Sequence, residues 1–412
     1  MGEHYDGLET RDPGQREAAL FEALRAQITH ARANTLYYAE ALAAVDPAAI
    51  TSRAALSALP VTRKSDLIAQ QRDAPPFGGL LAVAAGSLPR IYQSPGPMYE
   101  PDGHDRDYWR FGRAAHAAGL RAGDIIHNTF SYHLTPAGRM VESGAHAVGA
   151  AVIPGGVGQT ELQVRAIEHI RPRGYGGTPS FLKILLDKGR ELGADTSSLT
   201  LGLVSGEALP PSLRRLLGDD YGVEVLQCYG TADLGLIAYE SKALEGMIAD
   251  EGVVLEIVEP GTGNLVAEGE VGEVVITTFS KEYPLVRFAT GDLSAILPGP
   301  SPCGRTNVRI KGWMGRADQT AKVKGMFVHP AQIQDVARRH PEITKARLVI
   351  ERTDNVDVMT LHCEAATDDP AFARKVAETV HAVCKVGGSV RLVEAGRLAD
   401  DGKIIDDVRK FD

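Results

Sequence analysis

From about residue 80 to residue 205, short apolar runs alternate with amphipathic ones, and no other feature restricts the fold of this chain so strongly. The candidate strands are Asp124–Phe130, Ala150–Pro154 and Leu201–Ser205. Between and around them lie the candidate helices Arg106–Ala118, Gly138–Val148, Glu161–Ile170 and Ser180–Leu192. A helix between successive strands returns the chain to the same end of the sheet, so the strands pair parallel and the core is an α/β layer structure. After Val223 the pattern becomes all-strand, with Val253–Glu259, Gly272–Phe279 and Leu285–Phe288, which predicts a β-rich subdomain beside the α/β core. Upstream, Leu20, Leu24 and Ile28 at four-residue spacing predict a helix from 14 to about 45, ended by Asp46-Pro47. Leu59 to Asp66 reads as a capped turn into a short helix.

Another change of pattern follows Gly315-Arg-Ala-Asp318. A strand and turn over Lys322–Phe327, a helix from about Pro330, and a hairpin of Ala346–Glu351 and Val358–Glu364 across Asp354-Asn355 come first. A helix Pro370–Val383 and a strand Ser389–Val393 complete a small βαββαβ-like unit of independent-domain size. The expected division is a large domain over 1–316 and a small α+β domain over 317–412, the second mobile.

Composition removes several function classes. The 412 residues are 44% hydrophobic and 24% charged, ordinary for a globular protein, and carry a net charge of −9. That balance opposes a nucleic-acid or anionic-membrane partner, either of which needs a basic field. Four scattered cysteines form no CxxC pair, which argues against a zinc ribbon or a disulfide framework and suits reduced thiols in the cytoplasm. The polar N-terminus and the lack of a long apolar run predict no targeting signal and no membrane span. No GxGxxG follows the first strand, which disfavours a dinucleotide oxidoreductase.

Four blocks carry candidate chemistry. Ser205-Gly206-Glu207 leaves the carboxyl end of a strand, where open α/β sheets bind ligands, although a plain strand-to-helix turn explains it as well. Tyr229-Gly230-Thr231-Ala-Asp233-Leu-Gly235 offers a ring for stacking, a glycine turn, a hydroxyl and an acid for Mg²⁺; a buried tyrosine and a capping aspartate are the plain alternative. Asp292, after Arg287-Phe-Ala-Thr-Gly, can accept from a ribose diol or serve an ordinary turn. Gly315-Arg316-Ala-Asp318 stands at the junction to the small domain.

In this order the blocks resemble the adenylate-forming superfamily, and within it the phenylacetate–CoA ligase branch. The likeness extends from Leu59 through Val152-Ile-Pro-Gly-Gly156 with Thr160, Glu161 and Gln163, through Gly177-Thr-Pro-Ser180 and Leu297 to Arg305, to Gly402-Lys403. It implies a ligase that activates an aryl or arylacetic carboxylate with ATP as its acyl-adenylate and transfers it to CoA, releasing AMP. It also implies that Gly206, Glu207, Tyr229, Gly230 and Thr231 frame the nucleotide, and that Asp233 stands at the Mg²⁺ and phosphate position usually held by Glu. Asp292 with Arg316 would hold the ribose, Asp318 would be the hinge, and Lys403 would neutralise charge during adenylation. Tyr132 and His133, in Phe130-Ser-Tyr-His-Leu-Thr-Pro-Ala-Gly138, would line the acyl slot; a satisfied loop histidine is the alternative for His133.

One expected block departs from the family pattern. Its phosphate loop falls on Tyr92-Gln-Ser-Pro-Gly-Pro-Met-Tyr-Glu-Pro101, which keeps Ser94, Gly96 and Pro101 but places two prolines in the loop and Glu100 where Lys is expected. An acid there is expected to repel phosphate. Ala232 and the shorter Asp233 are lesser departures. Cys303 remains of a zinc set found in some relatives, with Ser301 and Ser241 elsewhere, so no zinc is expected. Two alternatives stay open: a nucleotide-binding homologue without ligase activity, and a ligase with another acceptor. A homodimer is also left open.

Overall fold

The computed structural model describes residues 3–94, 98–319, 321–323, 326–353 and 356–409. Helix α1 (Pro13–Asn34) starts where Asp12 accepts the Gln15 N–H at 2.9 Å, with Pro13 in the first turn, where no N–H is needed. Its buried face is Leu20, Phe21, Leu24, Ile28 and Ala31. The helix stops at Asn34, about eleven residues short of the expected end. Thr35 leaves the helical conformation, and its hydroxyl oxygen accepts the Tyr38 N–H to begin α2 (Leu36–Ala41). Then come α3 (Arg53–Ser57), β1 (Thr62–Arg63), α4 (Lys64–Asp73), and an antiparallel pair, β2 (Ile91–Ser94) and β3 (Met98–Pro101).

The helix expected over Arg106–Ala118 is cut to α5 (Gly112–Ala117). Asp107 accepts the N–H groups of Phe111 and Gly112 at 3.0 and 2.7 Å, and Arg110 lies at φ 64°, so the first six residues turn instead of coiling. Beyond it β4 (Ile125–Asn128), α6 (Ala137–Val148), β5 (Ala151–Pro154), α7 (Thr160–Ile170), β6 (Gly174–Gly177), α8 (Pro179–Leu192), β7 (Leu201–Val204) and α9 (Pro211–Asp219) alternate; β6, four residues rich in glycine, and α9 are not among the expected elements. Helix α8 has both its signals: Thr178 caps Phe181 N–H, and Gly193 closes it in the left-handed region. The parallel order is β5-β4-β6-β7-β8, where β8 is Glu224–Thr231.

Strand β8 pairs parallel with β7 on one side and antiparallel with β9 (Gly235–Glu240) on the other. From there the ladder runs through β10 (Met247–Ala249) to β14 (Arg309–Ile310), then β13 (Phe288–Leu297), β12 (Val271–Thr278) and β11 (Val253–Val258) at the edge, with β1 against β13. The β-rich part is therefore not a separate layer but the continuation of one twelve-stranded sheet. Leucine, isoleucine and valine from both halves are buried in its cores. At about 25 cal/mol per Å² of apolar area, this burial is the main stabilising term.

The chain forms two compact units, Met1–Thr290 with Ala295–Trp313, and Gly291–Ser294 with Met314–Asp412. The second contains β15 (Ala321–Val323), β16 (Met326–Val328), α10 (Pro330–Arg338), β17 (Ile343–Thr353), β18 (Val356–Ala365), α11 (Pro370–Cys384), β19 (Ser389–Val393) and β20 (Ile405–Asp407). Its main sheet has the order β19-β18-β17-β20, and its own core includes Val336, Leu348, Leu361 and Val376. The Asp354-Asn355 turn lies outside the described residues.

Candidate active site

The carboxyl ends of β6, β7 and β8 deliver three sequence blocks to one region. Val204 on β7 pairs with Gln227 on β8, so Ser205-Gly206-Glu207 leaves its strand beside Cys228 and Tyr229. Gly206 has φ 83°, and a Cβ there would meet Phe130 and Thr178 at 3.5 and 3.7 Å. Glu207 accepts the Ser180 N–H at 2.7 Å, at the start of α8. The sequence reading treats Tyr229 to Gly235 as a turn; in fact Tyr229, Gly230 and Thr231 still belong to β8, with a register shift between Tyr229 and Gly230. The antiparallel partner β9 extends the strand past the point where the parallel sheet ends. Tyr229 donates its hydroxyl to Thr290 at 3.3 Å, and Thr231 caps the following turn by accepting the Leu234 N–H.

Asp233 stands in a buried polar group that the sequence does not announce. Its Oδ2 holds the Lys64 ammonium at 2.6 Å, and its Oδ1 is buried with no hydrogen-bond partner. Lys64 comes from the first turn of α4, 169 positions away, so only the fold reveals the pair. Glu100, expected to face phosphate, points inward and is fully buried. It accepts the Ser94 N–H at 3.1 Å and the Ser94 hydroxyl. Burial and the neighbouring Asp233 carboxylate push Glu100 up to about 8, against the Ser94 hydrogen bond and the Lys64 charge. The acid therefore faces the interior, hydrogen-bonded to Ser94, and its burial favours the protonated form. Burial, followed by the charges of Asp233 and Glu100, also raises the Tyr283 phenol well above its ordinary value. Gln71 clamps the same hairpin, accepting the Tyr99 N–H at 2.8 Å and donating to the Tyr99 carbonyl at 2.9 Å. Gly96 lies outside the described residues.

The expected acyl segment divides. Tyr132 is half-buried and accepts from Asn128 at 2.8 Å, while His133 is exposed, its backbone N–H donating to Ser131. A histidine the sequence passes over, His127 on β4, is fully buried, with its Nε2 at 2.7 Å from Gln163. Burial lowers its pKa. Gln163 donates to the carbonyls of Gly156 and Gly158, which ties the Val152–Gly156 block to the sheet.

Within the second unit, Asp292 and Arg316 face each other as an isolated antiparallel bridge, and their side chains form an ion pair at 3.1 Å. Gly291 is needed beside them: a Cβ there would stand 2.6 Å from the Arg316 guanidinium. Lys403 is exposed and pairs with Asp406 at 3.2 Å. Asp318 lies in a single 3₁₀ turn, Ala317–Gln319. Among the described residues, no three His, Cys, Asp or Glu side chains gather as a metal set. Cys303 lies among Ser241, Ser301 and Arg305; burial would raise its thiol, but their hydrogen bonds bring it down to about 7.

Residues 107–280 match the AMP-binding enzyme family. The phenylacetate–coenzyme A ligase of Thermus thermophilus is 30% identical over 90% of this chain and 86% of its own length. The chain belongs to the phenylacetate–CoA ligase family. The Pseudomonas putida phenylacetate–coenzyme A ligase agrees, at 31% identity over 87% of this chain and 84% of its own. Among solved structures, an open conformation of 2-hydroxyisobutyryl-CoA ligase, in complex with 2-HIB-AMP and CoA, superimposes with a TM-score of 0.87 at 23% identity. It covers 98% of this chain and 95% of the other, and so shares the two-domain adenylate-forming fold. This phenylacetate–CoA ligase relative is an AMP-forming acid–thiol ligase whose substrates are a carboxylate, ATP and CoA. Among the described residues no helix is long and apolar enough to cross a membrane. Magnesium is implied by the family, and the Oδ1 of Asp233, buried without a hydrogen-bond partner, is the kind of oxygen that would hold it.

Proposed function

We propose that this ligase activates an aryl or arylacetic acid as its acyl-adenylate and passes the acyl group to the thiol of CoA. The observation that carries the substrate class is the 30% identity with a curated phenylacetate–coenzyme A ligase across nine-tenths of the chain. In this reading Gly206, Glu207, Tyr229, Gly230 and Thr231 frame the adenine side, and Gly206, without a Cβ, lets the backbone approach the ligand closely. Asp292 and Arg316 hold the ribose, the acid accepting from the diol while the guanidinium fixes its orientation. Tyr132 and His133 shape the acyl slot. Asp233 holds magnesium, which when bound supplies positive charge to the phosphates.

Lys403 is proposed to neutralise charge at the α-phosphate. Its present partner, Asp406, is a surface acid three residues on, and such exposed pairs are worth about 0–1 kcal/mol, so release is cheap. Residues 317–412, with Asp318 as hinge, are proposed to move as a body between the two half-reactions. The unpaired cysteines suit a reducing compartment, and we place the enzyme in the cytoplasm. A homodimer is the assembly to test by sedimentation.

The test is incubation with ATP, Mg²⁺, CoA and a panel of aryl and arylacetic acids. The expected outcome is a thioester, AMP and pyrophosphate with at least one acid; silence across a broad panel would sink the substrate class. Lys403→Ala should slow pyrophosphate–ATP exchange by about 100-fold, the usual scale for removing one group aimed at developing charge.

A further inference from the structure

We propose that the outer face of the small unit's main sheet carries a phosphate-binding patch, made of Thr360 and His362 on β18 with Ser389 and Arg391 on β19, that takes a terminal phosphate of a substrate. The choice of ligand rests on the ligase reading, in which CoA brings a 3′-phosphate and ATP a γ-phosphate; the two groups share one chemistry. The placement comes from strand alternation. Leu348, Leu361 and Cys363 enter the core, so their neighbours Arg347, Thr360 and His362 stand on the opposite face, each half-buried. The register sets His362 opposite Arg347 on one side and Arg391 on the other, and Thr360 opposite Ser389. Adjacent strands lie about 5 Å apart and alternate residues about 7 Å apart, so one phosphate group can reach all four side chains.

Each of the four can donate. The Thr360 and Ser389 hydroxyls lie 2.8 Å apart, and their mutual bond uses one of their two hydrogens, which leaves the other for a ligand. Arg391 is exposed and, among the described residues, makes no hydrogen bond or ion pair. Its guanidinium fork matches the oxygens of a phosphate. Burial, then the Arg391 charge, lower the His362 pKa; Glu351 opposes them and Arg347 adds to them. The neutral ring still has an N–H to give. Other acids of this sheet are already held. Arg347 and the Lys403 N–H bind Asp401, the Lys403 ammonium binds Asp406 at 3.2 Å, and Glu364 accepts the Leu398 N–H at 2.7 Å. Arg347 is thereby matched by an acid, whereas Arg391 brings an uncompensated positive charge to the patch.

The experiment is calorimetric titration of the full chain with CoA and dephospho-CoA, and with ATP and AMP, two pairs that differ in their terminal phosphates. Arg391→Ala is expected to cut the preference for the fuller member of one pair by about tenfold, the scale of a hydrogen bond to a charged group. His362→Ala should cut the same preference by about fivefold, as a neutral donor does. A change in the CoA pair identifies the 3′-phosphate as the occupant; a change in the ATP pair identifies the outer phosphates. Both preferences staying within about twofold of wild type in Arg391→Ala overturns the proposal. So does an equal change in Arg215→Ala, an exposed arginine on α9, because that would be a general effect of charge. Arg391 is exposed, so its loss leaves the core intact. Thioester formation is scored separately: silence across the acid panel counts against the aryl-acid reading and leaves the binding ratios to decide the patch.

Discussion

Glu100 shows how one side chain can hold a position for reasons its neighbours in sequence conceal. Beside Pro97 and Met98 it reads as an acid at the rim of a phosphate loop; in the fold it is a buried acceptor whose ordinary value of 4.5 rises to about 8. The folded state therefore keeps a proton that the unfolded chain releases. Its contribution to stability is complete below about pH 4.5 and is lost as pH climbs through 8. Chemical denaturation should show wild type losing about 2–3 kcal/mol more than Glu100→Gln between about pH 6 and 9. Parallel curves would mean that the carboxyl does not titrate in that window. Lys64 makes the complementary point. It was visible only as part of a capped turn, because its partner Asp233 lies 169 residues away and no local pattern encodes such a pair.

At the level of elements, Arg287 is one of the buried ties between the N-terminal segment and the antiparallel strands. It precedes β13 at φ 45°, is 1% exposed, and binds Glu256 at 3.0 Å as well as the carbonyls of Ser57, Leu59 and Gly263. Arg287→Ala leaves Glu256 buried without its counter-charge and should cost about 3–5 kcal/mol, measured by urea unfolding. A loss under about 1 kcal/mol would show that the surroundings relax around the gap. The sequence placed Arg287 only as the start of a nucleotide block. Helices α6, α7 and α8 were legible to within one residue because of their apolar period, to which α8 adds a Thr178 cap. Two helices were not: Thr35 and Asp107 capture backbone N–H groups, and their side chains fit a helix pattern as well as they fit its interruption. The end of β8 was missed because an antiparallel neighbour, invisible to local periodicity, keeps Tyr229–Thr231 in the sheet.

For the molecule as a whole, two units with separate apolar cores predict separate unfolding. Scanning calorimetry should resolve two transitions, and one transition with equal calorimetric and van't Hoff enthalpies would show a single cooperative body. The division into a large α/β part and a small α+β part was legible because each follows its own alternation of strand and helix. The unity of the twelve-stranded sheet was not, since joining its halves requires β8 to accept a different partner direction on each edge. That shared strand also bears on synthesis. Until Glu224–Thr231 has left the ribosome, β7 has a bare edge, and an unpaired edge is a template for a neighbouring chain. A nascent or truncated product ending before residue 224 would carry its most adhesive surface at the strand from which the candidate site is later built.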